Sequence, residues 1–129
     1  MSILFLGLNG AAKACILERE VNVYILRNIT SNKLPVTFHC FSGDDDLGTR
    51  LLYGDQSYHW SFCLNVLPNT KWMCRLVWGS NLEAKFVSYQ QQFKYNYNQN
   101  LWIANDDGVY LSHAYSFFDI KKMYDWNKI

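Results

Sequence analysis

The sequence predicts an all-β fold, a small antiparallel β-sandwich of about seven or eight strands. Three observations carry this expectation. Apolar and polar residues alternate in short runs along most of the chain, the period of a strand with one buried face. Turn-forming residues interrupt those runs roughly every eight to twelve residues. Aromatic residues make up 17% of the 129-residue chain and are spread along it, which suits half-buried pleated surfaces and argues against disorder.

The length fits one domain, residues 15–129, able to bury a real core but too short for two ordinary ones. Lys+Arg 12 stand against Asp+Glu 11, so no global field favours nucleic acid or an anionic membrane. Residues 1–14, MSILFLGLNGAAKA, read as a signal peptide: an apolar run from Ile3 to Leu8 precedes the small-x-small triplet Ala12-Lys13-Ala14. The competing reading is a buried N-terminal strand, because the basic n-region is missing. The run is too short for a membrane-spanning helix, which needs about 20 apolar residues. No later stretch is longer, so no membrane insertion is expected. Secretion fits the four cysteines, Cys15, Cys40, Cys63 and Cys74, since an oxidising compartment lets a small domain add covalent ties. All four survive cleavage after Ala14, and every pairing of them is open at this point. Their spacings form no C-x-x-C knuckle and no ligand set with the histidines, so disulfides are expected and no metal or other cofactor.

Asn22 to Leu26 reads as the first strand, with Val21, Val23 and Ile25 on one apolar face. Asn28-Ile29-Thr30 follows as an N-glycosylation acceptor in a turn-forming segment, with Asn28 the candidate site. Pro35 suits the start of a second strand, where a missing N–H does least harm, and Val36, Phe38 and Cys40 share its inner face. His39 falls on the other face, with no nucleophile or carboxylate paired with it by spacing; no catalytic dyad is visible. Gly43-Asp44-Asp45-Asp46-Leu47-Gly48 reads as a tight acidic loop. It is not a calcium loop of the EF-hand type. Counted from Asp44, glycine stands fifth rather than sixth, and no glutamate closes the loop at the twelfth place.

Arg50 to Tyr53 is a short apolar segment, and Gly54-Asp55 turns the chain into a strand from Tyr58 to Asn65, where Trp60, Phe62 and Leu64 alternate. A corner at Leu67-Pro68-Asn69-Thr70 is expected to lead into Lys71 to Trp78, whose Trp72, Cys74, Leu76 and Trp78 share a parity. These two segments are expected to lie side by side at the centre of the core. Gly79 to Glu83 is a polar turn and Lys85 to Tyr89 a short strand. Gln90 to Asn100, rich in Gln, Asn and Tyr, reads as an edge strand or loop. Leu101 to Ala104 and Val109 to Leu111 flank Asn105-Asp106-Asp107-Gly108, a hairpin signal because Asp-Gly suits a positive-φ turn. Tyr115 to Trp126 is read as a final strand ending in a polar tip.

His39-Cys40 followed by Ser42, then Asp44-Asp45-Asp46-Leu47-Gly48, Leu52, Gly54, Trp60-Ser61-Phe62, Asn65, Cys74, and Trp102 ahead of Asp107-Gly108-Val109-Tyr110 form an ordered pattern over nearly all of the chain after Glu20. This pattern resembles the plant self-incompatibility S-proteins and their many S-protein homologues. The resemblance implies a small secreted β-sandwich with a signal peptide and disulfides. The best understood members are stigmatic signals that a pollen membrane protein recognises, leading to rejection of self pollen; most members have no known role. Members usually carry two more cysteines before the late tryptophan, where this chain has Tyr97 and Asn100, whereas Cys15 and Cys63 are extra. Joint loss of that pair implies that Cys40 and Cys74 bridge each other. Against this, a two-residue hairpin loop at Pro68-Asn69 would set Cys63 opposite Cys74.

The resemblance thus implies a secreted signalling ligand recognised by a cell-surface receptor protein, a monomer without enzymatic activity. The acidic loop, Asp44, Asp45 and Asp46 with Arg50, is the candidate receptor contact, meeting a basic surface. Because the whole family shares that motif, these residues are equally candidates for structuring the turn by Asx hydrogen bonds. Two other classes stand beside this one. A carbohydrate-binding or cell-wall protein would need an exposed aromatic row, and a hydrolase would need a cleft holding His39, His59 or His113 beside a carboxylate.

Overall fold

Alternation of buried and exposed side chains builds the first strand, β1 (Glu20–Asn28). Val21, Val23, Ile25 and Arg27 turn inward while Asn22, Tyr24 and Leu26 face the other way. The computed structural model describes residue 15 and residues 19–64, 70–91, 98–113 and 119–129. Residues 1–14, the Leu67-Pro68-Asn69 corner, Tyr97 and all of the Tyr115–Phe118 stretch lie outside the described residues. Ten strands are present among those described: β1, β2 (Val36–Ser42), β3 (Asp46–Leu52), β4 (Ser57–Cys63), β5 (Lys71–Trp78), β6 (Leu82–Gln90), β7 (Gln99–Asn105), β8 (Gly108–Ser112), β9 (Ile120–Tyr124) and β10 (Asn127–Lys128). They form two five-stranded sheets, in the orders β4-β1-β7-β8-β9 and β10-β6-β5-β2-β3. The fold is the expected all-β sandwich.

The count exceeds seven or eight because polarity hid strands. β3 begins at Asp46, inside what reads as a loop, so the β2–β3 turn is only Gly43–Asp45. Its residues are mostly exposed because it is an edge strand, paired with β2 alone. β10 has two residues, both exposed. The tail does not end in a simple tip: β9 extends the first sheet, and the chain then crosses past Trp126 so that β10 joins β6 of the second.

Two further expectations are corrected by the topology. β4 and β5 are not side by side but lie in different sheets. Their aromatic stripes meet across the sandwich instead, with Trp60 and Phe62 packing on Trp72 at centroid distances of 5.5 and 5.6 Å. The Gln99-Asn100 end of the polar span is not an edge: β7 runs between β1 and β8, parallel to the former and antiparallel to the latter. Local periodicity carries no information on such a long-range pairing. In the β7–β8 hairpin, Asp106-Asp107 make the turn and Gly108 pairs with Asn105. Glycine is required at 108 for closeness: a Cβ there would stand 2.4 Å from the Tyr124 carbonyl oxygen of β9.

The core lies between the sheets. Val23, Ile25, Val36, Phe38, Leu76 and Val109 are fully or almost fully buried in it, together with Trp60, Trp72, Trp78 and Trp102. Cys40 and Cys74 face each other in the β2–β5 ladder and are disulfide-bonded with Cα atoms 4.1 Å apart. Cys63, at the end of β4, pairs with Glu20 in its own ladder rather than with Cys74 and is bonded to Cys15.

Both ends of the sandwich follow from strand direction. One end carries the β1–β2, β3–β4, β5–β6 and β7–β8 connections; the other carries the β2–β3 turn and the β4–β5 connection. The first end is tied together by Arg27, which is 2% exposed. Its guanidinium donates to the carbonyl oxygens of Leu34 (Nε at 3.0 Å, Nη2 at 2.7 Å), Asn32 (3.0 Å), Ile29 (3.2 Å) and Gly54 (2.9 Å). Asp106 adds a second tie by accepting from the backbone N–H groups of Thr30 and Ser31, each at 2.8 Å.

Two stability predictions follow from these ties. Arg27→Lys, which keeps the charge but supplies three donors from one point, is expected to cost roughly 2–4 kcal/mol in urea unfolding, by leaving buried carbonyls unpaired. Replacing Cys40 and Cys74 together by Ala is expected to cost about 2–4 kcal/mol, read in the same assay against the wild-type chain under oxidising conditions.

Candidate functional site

The β2–β3 hairpin places its three carboxylates in different surroundings. Ser42 opens the turn: its N–H donates to the Asp45 carbonyl at 2.8 Å, and its Oγ accepts from the N–H groups of Asp44 (3.3 Å) and Asp45 (3.1 Å). The backbone of Asp44 and Asp45 is thereby fixed while both side chains stay exposed. Asp46 is turned back onto the hairpin. Its Oδ1 accepts from the Gly48 N–H at 2.8 Å and lies 2.6 Å from His39 Nε2. Gly48 has φ of +74°, a region that favours glycine. The other side of the same peptide is held too, since the Leu47 carbonyl accepts from Arg50 Nε at 3.0 Å. Arg50 also lies over the Tyr58 ring of β4, 4.6 Å from its centroid, so it spans the two sheets along their open edge.

Of the four residues expected to meet a partner, Asp46 and Arg50 are thus engaged with the hairpin, and Asp44 and Asp45 project from it. The sequence reading found no carboxylate for His39, because it counted spacing along the chain and not across the hairpin. A three-residue turn with a β-bulge between His39 and Phe41 brings Asp46 to it. Histidine seven residues before aspartate around such a turn is the signal that could have revealed the pair.

The pair lies away from the cleft described below. Both side chains sit on the exposed flank of an edge hairpin, 40% and 61% accessible. His59 is stacked on Tyr24 with centroids 4.4 Å apart, and its Nε2 lies 2.8 Å from Asn22 Oδ1. His113 Nδ1 lies 3.3 Å from the Gln99 carbonyl, and burial pushes its imidazole pKa down. Among the described residues, no three His, Cys, Asp or Glu side chains converge to hold a metal ion.

A cleft of about 250 Å³ opens beside the acidic turn. It is lined by Ser42, Gly43, Asp44 and Asp45 of the turn and by Phe62, Cys63, Thr70, Lys71 and Trp72. None of the three histidines lines it. The Cys15–Cys63 disulfide anchors this end. Asn28 lies at the opposite end, exposed at the close of β1, where its Nδ2 donates to Asn105 Oδ1 at 2.8 Å.

The profile of the family described as plant self-incompatibility protein S1 matches residues 22–126. The chain belongs to this family. It is similar to S-protein homolog 11 of Arabidopsis thaliana, at 34% identity over 119 residues, covering 86% of this chain and 80% of that one. S-protein homolog 7 of the same plant is 28% identical over 129 residues, covering 96% and 92%. A solved SPH (self-incompatibility protein homologue) structure superposes with a TM-score of 0.68 at 16% identity, covering 86% of this chain and 97% of that one. Its proteins are described as a widespread family of small, highly stable, secreted proteins from plants.

The bonds of Asp46 give the hairpin a pH dependence. The Gly48 N–H, and after it His39, hold the carboxyl pKa below its ordinary value of 3.8. A lowered folded-state pKa means that the unfolded chain binds this proton first. The stabilisation is therefore complete above the ordinary carboxylate range and is lost as pH falls through the lowered value. The stability gap between wild type and Asp46→Asn, measured by urea unfolding, is expected to be open at about pH 6 and to narrow as pH falls below the ordinary carboxylate range. A gap that stays constant over that range would show that the carboxylate's charge does not matter to the turn.

Proposed function

We propose that this secreted plant S-protein homologue is a signalling ligand recognised by a cell-surface receptor, through the end of the sandwich that carries the Gly43–Asp45 turn. The observation that carries this reading is the division of labour among three adjacent carboxylates. Asp46 is turned onto Gly48 and His39, while Asp44 and Asp45 are held outward on a backbone clamped by Ser42. Pre-ordered carboxylates lose little entropy on meeting a basic surface, and they raise the rate and selectivity of encounter. The far end supports the choice by contrast, since Arg27 and Asp106 use their polar groups to join its loops.

Processing at the N-terminus belongs to the same proposal. Removal of residues 1–14 leaves Cys15 as the first residue, already joined to Cys63 beside the cleft. A glycan at Asn28 would sit at the opposite end, clear of the acidic turn. The carbohydrate-binding reading loses its basis: Trp60, Trp72, Trp78 and Trp102 are all at most 9% exposed, so they offer no aromatic platform.

The test is binding of fluorescently labelled protein to plant protoplasts, competed by the unlabelled chain. Saturable binding is expected, weakened about tenfold in the Asp44→Asn/Asp45→Asn double variant with an unchanged unfolding midpoint. Equal binding by wild type and variant would overturn the assignment of this surface.

A further inference from the structure

The two disulfides stand in opposite surroundings. Cys40 and Cys74 face each other on β2 and β5, strands flanked by β3 and β6, and are 0% and 2% exposed within the core. A thiol in solution reaches neither sulfur unless the sandwich opens, and a thiolate released there would be desolvated. Cys15 and Cys63 are both partly exposed, and neither belongs to the core. Cys63 ends β4, an edge strand of the first sheet, and lines the cleft beside the acidic turn.

The fold around Cys63 does not rest on its disulfide alone. Phe62 and Cys63 pair with Val21 and Glu20 in the β1–β4 ladder, and the Leu64 N–H donates to the Arg19 carbonyl at 3.0 Å. Phe62 also packs on Trp72 and Tyr89, at centroid distances of 5.6 and 5.3 Å. Breaking the Cys15–Cys63 bond therefore releases Cys15 and leaves the ladder, the core and the Cys40–Cys74 bridge in place.

We propose that Cys15–Cys63 is a thiol–disulfide exchange site, a redox-sensitive tie that a small extracellular thiol of the glutathione type opens while the domain stays folded. Exposed disulfides are the labile class, and buried ones resist reduction. The chemistry balances in two exchanges. A glutathione thiolate attacks one sulfur of the pair, the S–S bond breaks, a mixed disulfide forms, and the other cysteine leaves as a thiolate that takes up a proton. A second glutathione thiolate attacks the glutathione sulfur of the mixed disulfide, giving glutathione disulfide and the second cysteine thiol. Two glutathione molecules thus supply the two electrons. The reverse reaction is equally open. Cys15 lies four residues before Arg19, whose carbonyl stays bonded at Leu64 beside Cys63. The two thiols remain at high effective concentration and close again when glutathione disulfide is in excess. This inference does not depend on the receptor reading.

The experiment incubates the oxidised chain with excess reduced glutathione under native conditions at neutral pH. Thiols are alkylated with iodoacetamide at intervals and assigned by peptide mass spectrometry, while near-ultraviolet circular dichroism follows the packed tryptophans. Cys15 and Cys63 are expected to be alkylated at least about tenfold faster than Cys40 and Cys74, with the near-ultraviolet signal retained. Excess glutathione disulfide is expected to close the bond again. Cys15→Ser/Cys63→Ser, which keeps the core bridge, is expected to remain unalkylated on the same timescale. Equal rates at all the cysteines, earlier reaction of Cys40 and Cys74, or no reduction while the near-ultraviolet signal is intact would overturn the proposal. Loss of that signal in step with alkylation of Cys15 and Cys63, a bond that does not close again, or alkylation of the serine variant at the wild-type rate would do the same.

Discussion

The guanidinium of Arg27 is the interaction on which the closed end of this sandwich depends. It occupies the fourth inward position of β1, after Val21, Val23 and Ile25, where alternation calls for an apolar side chain. Burying an isolated cation is costly, and here it is offset by carbonyl dipoles and not by a carboxylate: five donor contacts reach Ile29, Asn32, Leu34 and Gly54. Those carbonyls belong to two connections, β1–β2 and β3–β4, one running between the sheets and the other joining β3 to β4 across them. A single side chain thereby satisfies backbone groups that turn away from either ladder, and it ties the strands that the two connections serve. Only a planar fork with several donors at fixed angles can do this.

Rigidity at that end contrasts with the exposed acidic turn at the other, the surface proposed for recognition. Asp106 holds Thr30 and Ser31, Trp78 Nε1 donates to Asn32, and Trp126 Nε1 donates to the Asn105 carbonyl. These polar groups serve the fold. The Cys40–Cys74 bridge runs through the middle of the second sheet, and Cys15–Cys63 secures the rim of the cleft. A scaffold fastened in this way presents the Gly43–Asp45 turn with its backbone already ordered, the condition under which small loops bind with little entropic loss.

Legibility of the fold from sequence was uneven for physical reasons. The alternating faces of β1, β2 and β5 were plain, because half-buried strands write their period directly into the order of residues. Which strands pair was not. β4 and β5 are neighbours in sequence but face each other across the core, and β7 inserts beside β1 in parallel although 77 residues separate the first partners in register, Asn22 and Gln99. The first residues of edge strand β3, Asp46 to Gly48, read as loop because an edge has little to bury. Arg27 went unnoticed because a charged residue ending an apolar alternation looks like a strand boundary. The acidic turn was seen as a unit, but nothing in three consecutive aspartates says which of them faces the protein.

That last distinction decides what the shared motif is for. Asp46 and Arg50 hold the two sides of the Leu47–Gly48 peptide, and Gly48 must adopt a left-handed backbone for the hold to form. This set therefore belongs to the architecture of the hairpin and would be needed whatever the partner. Asp44 and Asp45 contribute only backbone to the same turn, through Ser42 Oγ, and asparagine or serine there could accept the same backbone geometry. Their charge is thus the part of the motif that the fold does not use. It stands at the rim of the cleft that Phe62, Thr70 and Lys71 also line. A charge that the fold does not use, carried on a backbone already ordered, is what the proposed contact with a basic partner surface requires.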